Sequence, residues 1–208
     1  MIFEALEVGI YGANCYIAAS EVTREAAIID PGADFNKIDS KLNELKVTPK
    51  IIILTHCHGD HIGAVEDLVD KYGLKVYIHR EDAEGLKDSG MNFTKSMFRK
   101  EISIKADVLL EDGDQINLGD LKFEIIHTPG HTKGGICIKA GNIMMTGDTL
   151  FRRSIGRTDF PGGSYDEIIS SIKDKIFKYD DDTVIYPGHM SPSTIKEEKL
   201  LNPFVKTR

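Results

Sequence analysis

The sequence predicts an α/β fold in which two β-sheets pack against each other with helices on the outside. Short strand-like runs open the chain and recur in its second half, and each group is followed by helical periodicity. Between them Ile51 to Leu54 is apolar without a break, as in a strand buried on both faces. With 208 residues the chain is long enough for one sizeable core. No Pro/Gly/Ser-rich stretch or charge block divides it, so a single domain over residues 1–208 is expected.

The elements follow in order. Strands are expected at Ile2 to Val8, Cys15 to Ala19 and Ala26 to Asp30, with Gly and Asn between them and Pro31-Gly32 closing the last. Phe35, Ile38, Leu42 and Leu45 recur at helical spacing, with Asp34 as N-cap. The strand Lys50 to Leu54 leads into Thr55 to His61, reading THCHGDH, and then into a helix from Ile62 to Tyr72. After a strand at Lys75 to Ile78, the polar segment from His79 to Glu101 reads as helix plus loop. Strands return at Val108 to Leu110, Gln115 to Leu118, Lys122 to Ile126, Gly135 to Lys139 and Ile143 to Thr146, the last two meeting across Ala140-Gly141-Asn142. Ser164 with Glu167 forms a capping box for a helix to about Tyr179. A strand at Thr183 to Tyr186 and a helix from Pro192 to Leu201, capped by Ser191, end the chain.

Composition narrows the class of function. The chain is 41% apolar and 28% charged, with a formal charge of -7, which argues against nucleic-acid or anionic-membrane partners. The N-terminus has no basic segment followed by a long apolar stretch, and nowhere do 18 apolar residues run together, so a cytoplasmic protein is expected. Cys15, Cys57 and Cys137 are odd in number and widely spaced, as reduced thiols are. The sequence leaves a homo-oligomer open.

Five of the seven histidines sit in turn or glycine-flanked contexts just past apolar strands: His56, His58, His61, His131 in HTPGHT and His189 in YPGH. Asp148 in TGDT shares that setting. In an extended loop side chains alternate, so His56, His58 and Asp60 can face one way and His61 another, feeding two neighbouring points. A lone histidine is ordinarily a surface or capping residue, but five at strand ends with two aspartates point to metal. Imidazole and carboxylate suit zinc, iron or manganese. His79 and His127 read as structural. Thr55 and Thr128 flank ligands and either orient them or pack the loops. Cys57 lies between two ligands, but alternation turns it away. Met91, Phe93, Met97 and Phe98 are core residues or line a substrate mouth. Arg157 either clamps a substrate carboxylate or pairs with Asp159, while Arg152 and Arg153 read as solvated.

This set resembles the metallo-β-lactamase superfamily, whose HxHxDH signature is met by His56, His58, Asp60 and His61, followed by a lone His, an Asp and a final His. The resemblance implies an αββα four-layer sandwich of two mixed sheets flanked by helices. It implies that His56, His58 and His131 hold one divalent metal ion, that Asp60, His61 and His189 hold a second, and that Asp148 bridges them. Asp60 and Asp148 would then be catalytic as well as ligating. Two such metals, zinc foremost and iron or manganese also suited, would share a hydroxide as nucleophile. PGHTKGGICI, GDTLFRRSIGRTDFPGGS and YPGHMSPSTIKEEKLLNPF are similar to the glyoxalase II group, and most to its short bacterial members without a C-terminal helical domain. That group hydrolyses hydroxyacylglutathione thioesters such as S-lactoylglutathione. Where its glutathione-binding members carry a lysine and a tyrosine, this chain has Gly156-Arg157-Thr158-Asp159, and Arg157 keeps the positive charge for substrate binding. Other readings are a mononuclear iron persulfide dioxygenase, which shares a GRTDF-like stretch, a lactonase or other ester hydrolase, and a non-catalytic metal scaffold.

Overall fold

The computed structural model describes residues 1–205; the last three residues of the expected 1–208 domain lie outside them. The first sheet is built from β1 (Ile2–Val8), β2 (Ala13–Ala19), β3 (Glu25–Ile29), β4 (Thr48–Ile53), β5 (Lys75–His79) and β6 (Val108–Leu110), hydrogen-bonded in that order. β1, β2 and β3 are antiparallel, and β3 to β6 run parallel. The second sheet adds β7 (Gln115–Leu118), β8 (Leu121–His127), β9 (Ile136–Ala140), β10 (Ile143–Gly147), β13 (Val184–Pro187) and β14 (Ser193–Thr194), in the order β14-β13-β10-β9-β8-β7. Its one parallel pair is β10 with β13. A small ribbon, β11 (Leu150–Phe151) with β12 (Ser154–Ile155), stands apart.

Period-2 alternation divides the core into three layers of contact. In β4, Ile51 and Ile53 face the second sheet, where they meet the cluster of Phe123, Ile125, Ile136 and Ile138. Ile52, on the other face, packs with Ile38 and Leu42 of α1 (Phe35–Leu45) and Leu68 of α2 (Val65–Tyr72). On the outer face of the second sheet Cys137, Met144 and Ile185 meet Ile168 of α5 (Tyr165–Ser170), Ile172 and Ile176 just beyond it, and Ile195 of α6 (Ile195–Leu201). Helix, sheet, sheet and helix are therefore stacked as expected, and the unbroken apolar run of β4 is explained by burial on both faces. Two further short helices, α3 (Ala83–Lys87) and α4 (Thr94–Phe98), lie in the segment read as helix plus loop. Buried Asn92 ties that segment together through bonds to Leu86 O and Ile102 O and from Thr94.

Several boundaries differ, each for a tertiary reason. Asp34 precedes α1 in a left-handed conformation and makes no side-chain cap; its carboxylate accepts instead from Gly9 N at 2.9 Å. α2 starts at Val65, because residues 59–61 form a 3-10 turn that aims Asp60 and His61. There Gly63 approaches Gly32 so closely that a Cβ on Gly63 would lie 2.2 Å from Gly32 O. Ser164 caps α5 as expected, but the helix widens at Ser171–Lys175 and tightens at Ile176–Lys178. At the end of the chain Ser191 is not the cap. Ser193 and Thr194 pair with β13, and Thr194 Oγ1 caps α6 by accepting from Glu197 N.

α6 also grips the ribbon. Glu198, fully buried, accepts from Arg153 N, Arg153 Nη1, Ser193 Oγ and Asn202 Nδ2. Arg153 is thus an anchored residue rather than a solvated one, since a buried carboxylate requires a partner. The three cysteines are buried and unpaired. Among the described residues no helix is long and apolar enough to cross a membrane.

Phe123 is the largest side chain sealed completely within the seam between the sheets. Phe123→Ala is expected to cost about 3–5 kcal/mol of stability, read from urea unfolding.

Candidate metal centre

The parallel strands β3 and β4 end side by side, and β8, β10 and β13 end opposite them, so the loops that follow converge on one edge of the sandwich. All seven residues expected as ligands meet there. His56 leaves β4, and its outer nitrogen, Nδ1, donates to Thr55 Oγ1 at 3.0 Å. Thr55 Oγ1 in turn donates to Asp30 Oδ2 at 2.6 Å, and Thr55 N donates to Asp30 Oδ1 at 2.7 Å. His61 Nδ1 donates to the same carboxylate at 3.1 Å. His131 Nδ1 donates to Arg157 O at 2.7 Å. Each of these outer bonds fixes a tautomer and turns Nε2 inward as a lone pair.

The inward atoms form two groups. His56, His58 and His131 bring ring nitrogens together, and Asp60, His61 and His189 bring two nitrogens and a carboxylate oxygen together, each set within 4.8 Å. His58 Nδ1 lies 2.9 Å from His131 Nε2, and His189 Nε2 lies 3.2 Å from Asp60 Oδ2. Asp148 stands between the sets, with Oδ1 3.5 Å from His61 Nε2 and Oδ2 3.5 Å from His131 Nε2 and 3.7 Å from His189 Nε2. His56 Nε2, His61 Nε2 and Asp148 Oδ1 are buried without a hydrogen-bond partner. Buried polar atoms are ordinarily paired, so three orphans aimed at one space, with lone pairs from neighbouring imidazoles, fit divalent cations there. Asp30 with His56 and His61 makes a third possible grouping, but the Asp30 oxygens already accept from Thr55 and His61.

Charge is divided unevenly across the centre. Burial, then His61 and His58, push the His56 pKa well below the ordinary value, and burial, then His131, push His58 down to about 3. Burial also opposes a charge on His61, yet Asp60, Asp148 and Asp30 outweigh it and push it up to about 10. His189 moves the same way, its burial overcome by Asp60 and Asp148. Burial likewise opposes the Asp60 carboxylate, but His61 and His189 hold it well below the usual range. Without metal, His61 is charged while His56 and His58 are neutral.

The backbone crowds this edge. A Cβ on Gly188 would lie 2.2 Å from Asp148 Oδ1, and one on Gly156 would lie 1.7 Å from Asp148 O, so both positions require glycine.

The centre forms the floor of a cavity of about 570 Å³ whose walls include Phe93, Met97, Phe151, Phe160 and Arg157. Phe93 and Met97 are mouth residues, whereas Phe98 packs on Tyr11 and Met91 lines a smaller cavity of about 240 Å³. Arg157 carries a two-pronged pair with Asp159, Nε to Oδ1 at 2.9 Å and Nη2 to Oδ2 at 2.6 Å. Cys57 points away as expected, with its Sγ against Gly85 and its thiol pKa pushed up by burial and by Asp82. His79 and His127 stack at 3.9 Å outside the centre. Thr55 orients ligands, whereas Thr128 instead bonds Thr149 and touches none. Sequence reasoning overlooked Asp30, placed only as a strand end. It also overlooked Asp82, a buried carboxylate that accepts from Cys57 N at 3.1 Å and Gly134 N at 2.6 Å and so ties the His58 loop to the His131 loop.

Known proteins carry the same architecture. The sequence profile described as the metallo-beta-lactamase superfamily matches residues 8–189. The hydroxyacylglutathione hydrolase GloC of Haemophilus influenzae is 35% identical over 216 residues, covering 100% of both chains. The solved structure of the B3 metallo-beta-lactamase BLEG-1 superposes with a TM-score of 0.93 at 33% identity, covering 99% of this chain and 100% of that one. TTHA1623 in a di-iron-bound form superposes with a TM-score of 0.85 at 29% identity, covering 97% and 100%.

Two outcomes are expected from the geometry. Asp30→Ala, which frees both Thr55 and His61, should lower metal affinity about 10- to 100-fold in equilibrium dialysis while far-UV circular dichroism stays native. Because His61 holds a proton that a metal must displace, affinity for the equivalent it binds should fall as pH falls, about tenfold per pH unit. A chelator-competition titration between pH 8 and pH 6.5 checks this.

Proposed function

The chain belongs to the metallo-beta-lactamase superfamily, a family of metal-dependent hydrolases, and from that premise we propose that it hydrolyses a hydroxyacyl thioester with two divalent metal ions. The observation that carries the reading is the pair of donor sets meeting across Asp148 on the floor of an open cavity, with inward atoms that no protein group satisfies. His56, His58 and His131 would hold one ion, Asp60, His61 and His189 the other, with Asp148 shared. Zinc fits this donor set, as do iron and manganese, and the di-iron form of TTHA1623 supports a two-metal occupancy. Such ions polarise a carbonyl and lower the pKa of water.

The chain's own residues do the rest. Asp148 spans both halves of the centre, and Asp60 stays ionised beside His189. In hydrolysis the oxygen of water bonds to the acyl carbon, the carbon–sulfur bond breaks, and acid and thiol leave. A thiol of pKa about 8.5 departs readily as thiolate, so no general acid is required. That agrees with a lining that offers the sulfur neither a lysine nor a cysteine among the described residues. The full-length match to a hydroxyacylglutathione hydrolase supports a hydroxyacyl thioester as the substrate class. Arg157, on the cavity wall, is the residue we assign to substrate contact.

Protein purified without added metal should contain about two metal equivalents per chain and release thiol from S-lactoylglutathione. Asp148→Ala and His58→Ala should each lower kcat by roughly three orders of magnitude with the fold retained. One iron per chain with oxygen uptake on a persulfide would replace this reading by a dioxygenase. Turnover confined to a β-lactam or lactone panel would replace the substrate class.

A further inference from the structure

We propose that the site grips the part of its substrate beyond the thioester through an aromatic wall, and so selects an uncharged, apolar thiol carrier over one bearing carboxylates. This rests on the hydrolase reading and specifies the carrier within it. The wall begins at the ligands themselves. Phe93 and Phe160 both lie against the His58 ring, with centroids 5.1 and 5.4 Å away, and against each other at 4.9 Å. Phe151 lies 6.1 Å from the His189 ring on the opposite side. Tyr11, Met97 and Met190 extend the lining outward, and Tyr11 and Met190 remain exposed at the rim. An apolar group crossing this surface leaves water at both ends of the cavity, and a flat ring can stack on Phe160 or Phe93.

Charge recognition is weak by comparison. A glutathione carrier brings two carboxylates and one ammonium. Among the described residues lining the cavity, Arg157 is the one lysine or arginine. The Nε–Nη2 edge of its guanidinium is taken by both oxygens of Asp159, and its Cζ lies 4.1 Å from the centroid of Phe160. The pair is neutral overall, so a substrate carboxylate that reaches the open Nη1 side of the guanidinium meets the Asp159 carboxylate along with the cation. Arg157 therefore meets substrate as a neutralised, stacked extension of the aromatic wall.

The test compares two non-hydrolysable thioethers, S-(2-hydroxypropyl) benzylthiol and S-(2-hydroxypropyl)glutathione, binding to the metal-loaded protein in a titration calorimeter at 50 and 500 mM salt. The benzyl compound is expected to bind at least tenfold tighter, with affinity little changed by salt. Phe160→Ala should erase most of that advantage while moving glutathione-conjugate binding less than threefold. Equal or tighter binding of the glutathione conjugate, weakened by salt, would overturn the proposal. So would a benzyl affinity indifferent to both Phe160→Ala and Phe93→Ala. The matching lactoyl thioesters are assayed for thiol release in parallel: absence of turnover from both counts against the hydrolase reading, while the binding ratio decides the wall.

Discussion

An imidazole has two nitrogens, and a centre built from imidazoles depends on giving the outer one a partner so that the inner one is free. Thr55, Asp30 and the Arg157 carbonyl do this for His56, His61 and His131. Much of the surrounding architecture serves those three bonds. Asp30 lies just past β3, beside the end of β4, and its own N–H donates to Ile53 O, so one carboxylate reaches both Thr55 and the ring of His61. The Arg157 carbonyl reaches His131 because the ribbon is pinned from below by Glu198 and Asn202. Burial without such partners would leave each ring free to choose the wrong tautomer.

Much of this was legible in the chain. β4 is sealed on both faces, so Ile51 to Leu54 reads as apolar throughout, and polarity starts abruptly at Thr55 where the strand reaches the edge of the sandwich. The same contrast exposes His131, Asp148 and His189. Period-2 and helical spacing located the layers because burial of alternate faces is a local signal. What could not be read depended on neighbours distant in sequence. Asp30 looked like a strand end until β3 was placed next to β4. Ser191 and Pro192 look like the start of a helix, yet pairing of Ser193 and Thr194 with β13 postpones it. Phe160 belongs to an irregular loop with no periodicity, and only its return over His58 makes it part of the cavity.

The two halves of the centre are also unlike in their surroundings. Burial, with other imidazoles around them, keeps His56 and His58 neutral, and Phe93 covers His58. His61 and His189 face carboxylates, which raise both and keep His61 charged when no cation is near. A centre arranged in this way is asymmetric before anything binds, with one half ready for a cation and the other guarded by a proton.

The donors are also spread along the chain, from His56 after β4 to His189 after β13, the next-to-last strand. During synthesis the first four candidate ligands emerge early, but His131, Asp148 and His189 follow much later, and the last arrives only when the second sheet is nearly complete. Each set draws members from both sheets, so the His56, His58 and His131 set waits for the loop after β8, and the Asp60, His61 and His189 set waits for the end of β13. A two-part centre is thereby tied to the arrival of His189, and a chain stopped before it lacks a member of the second triad while the first already has its three imidazoles.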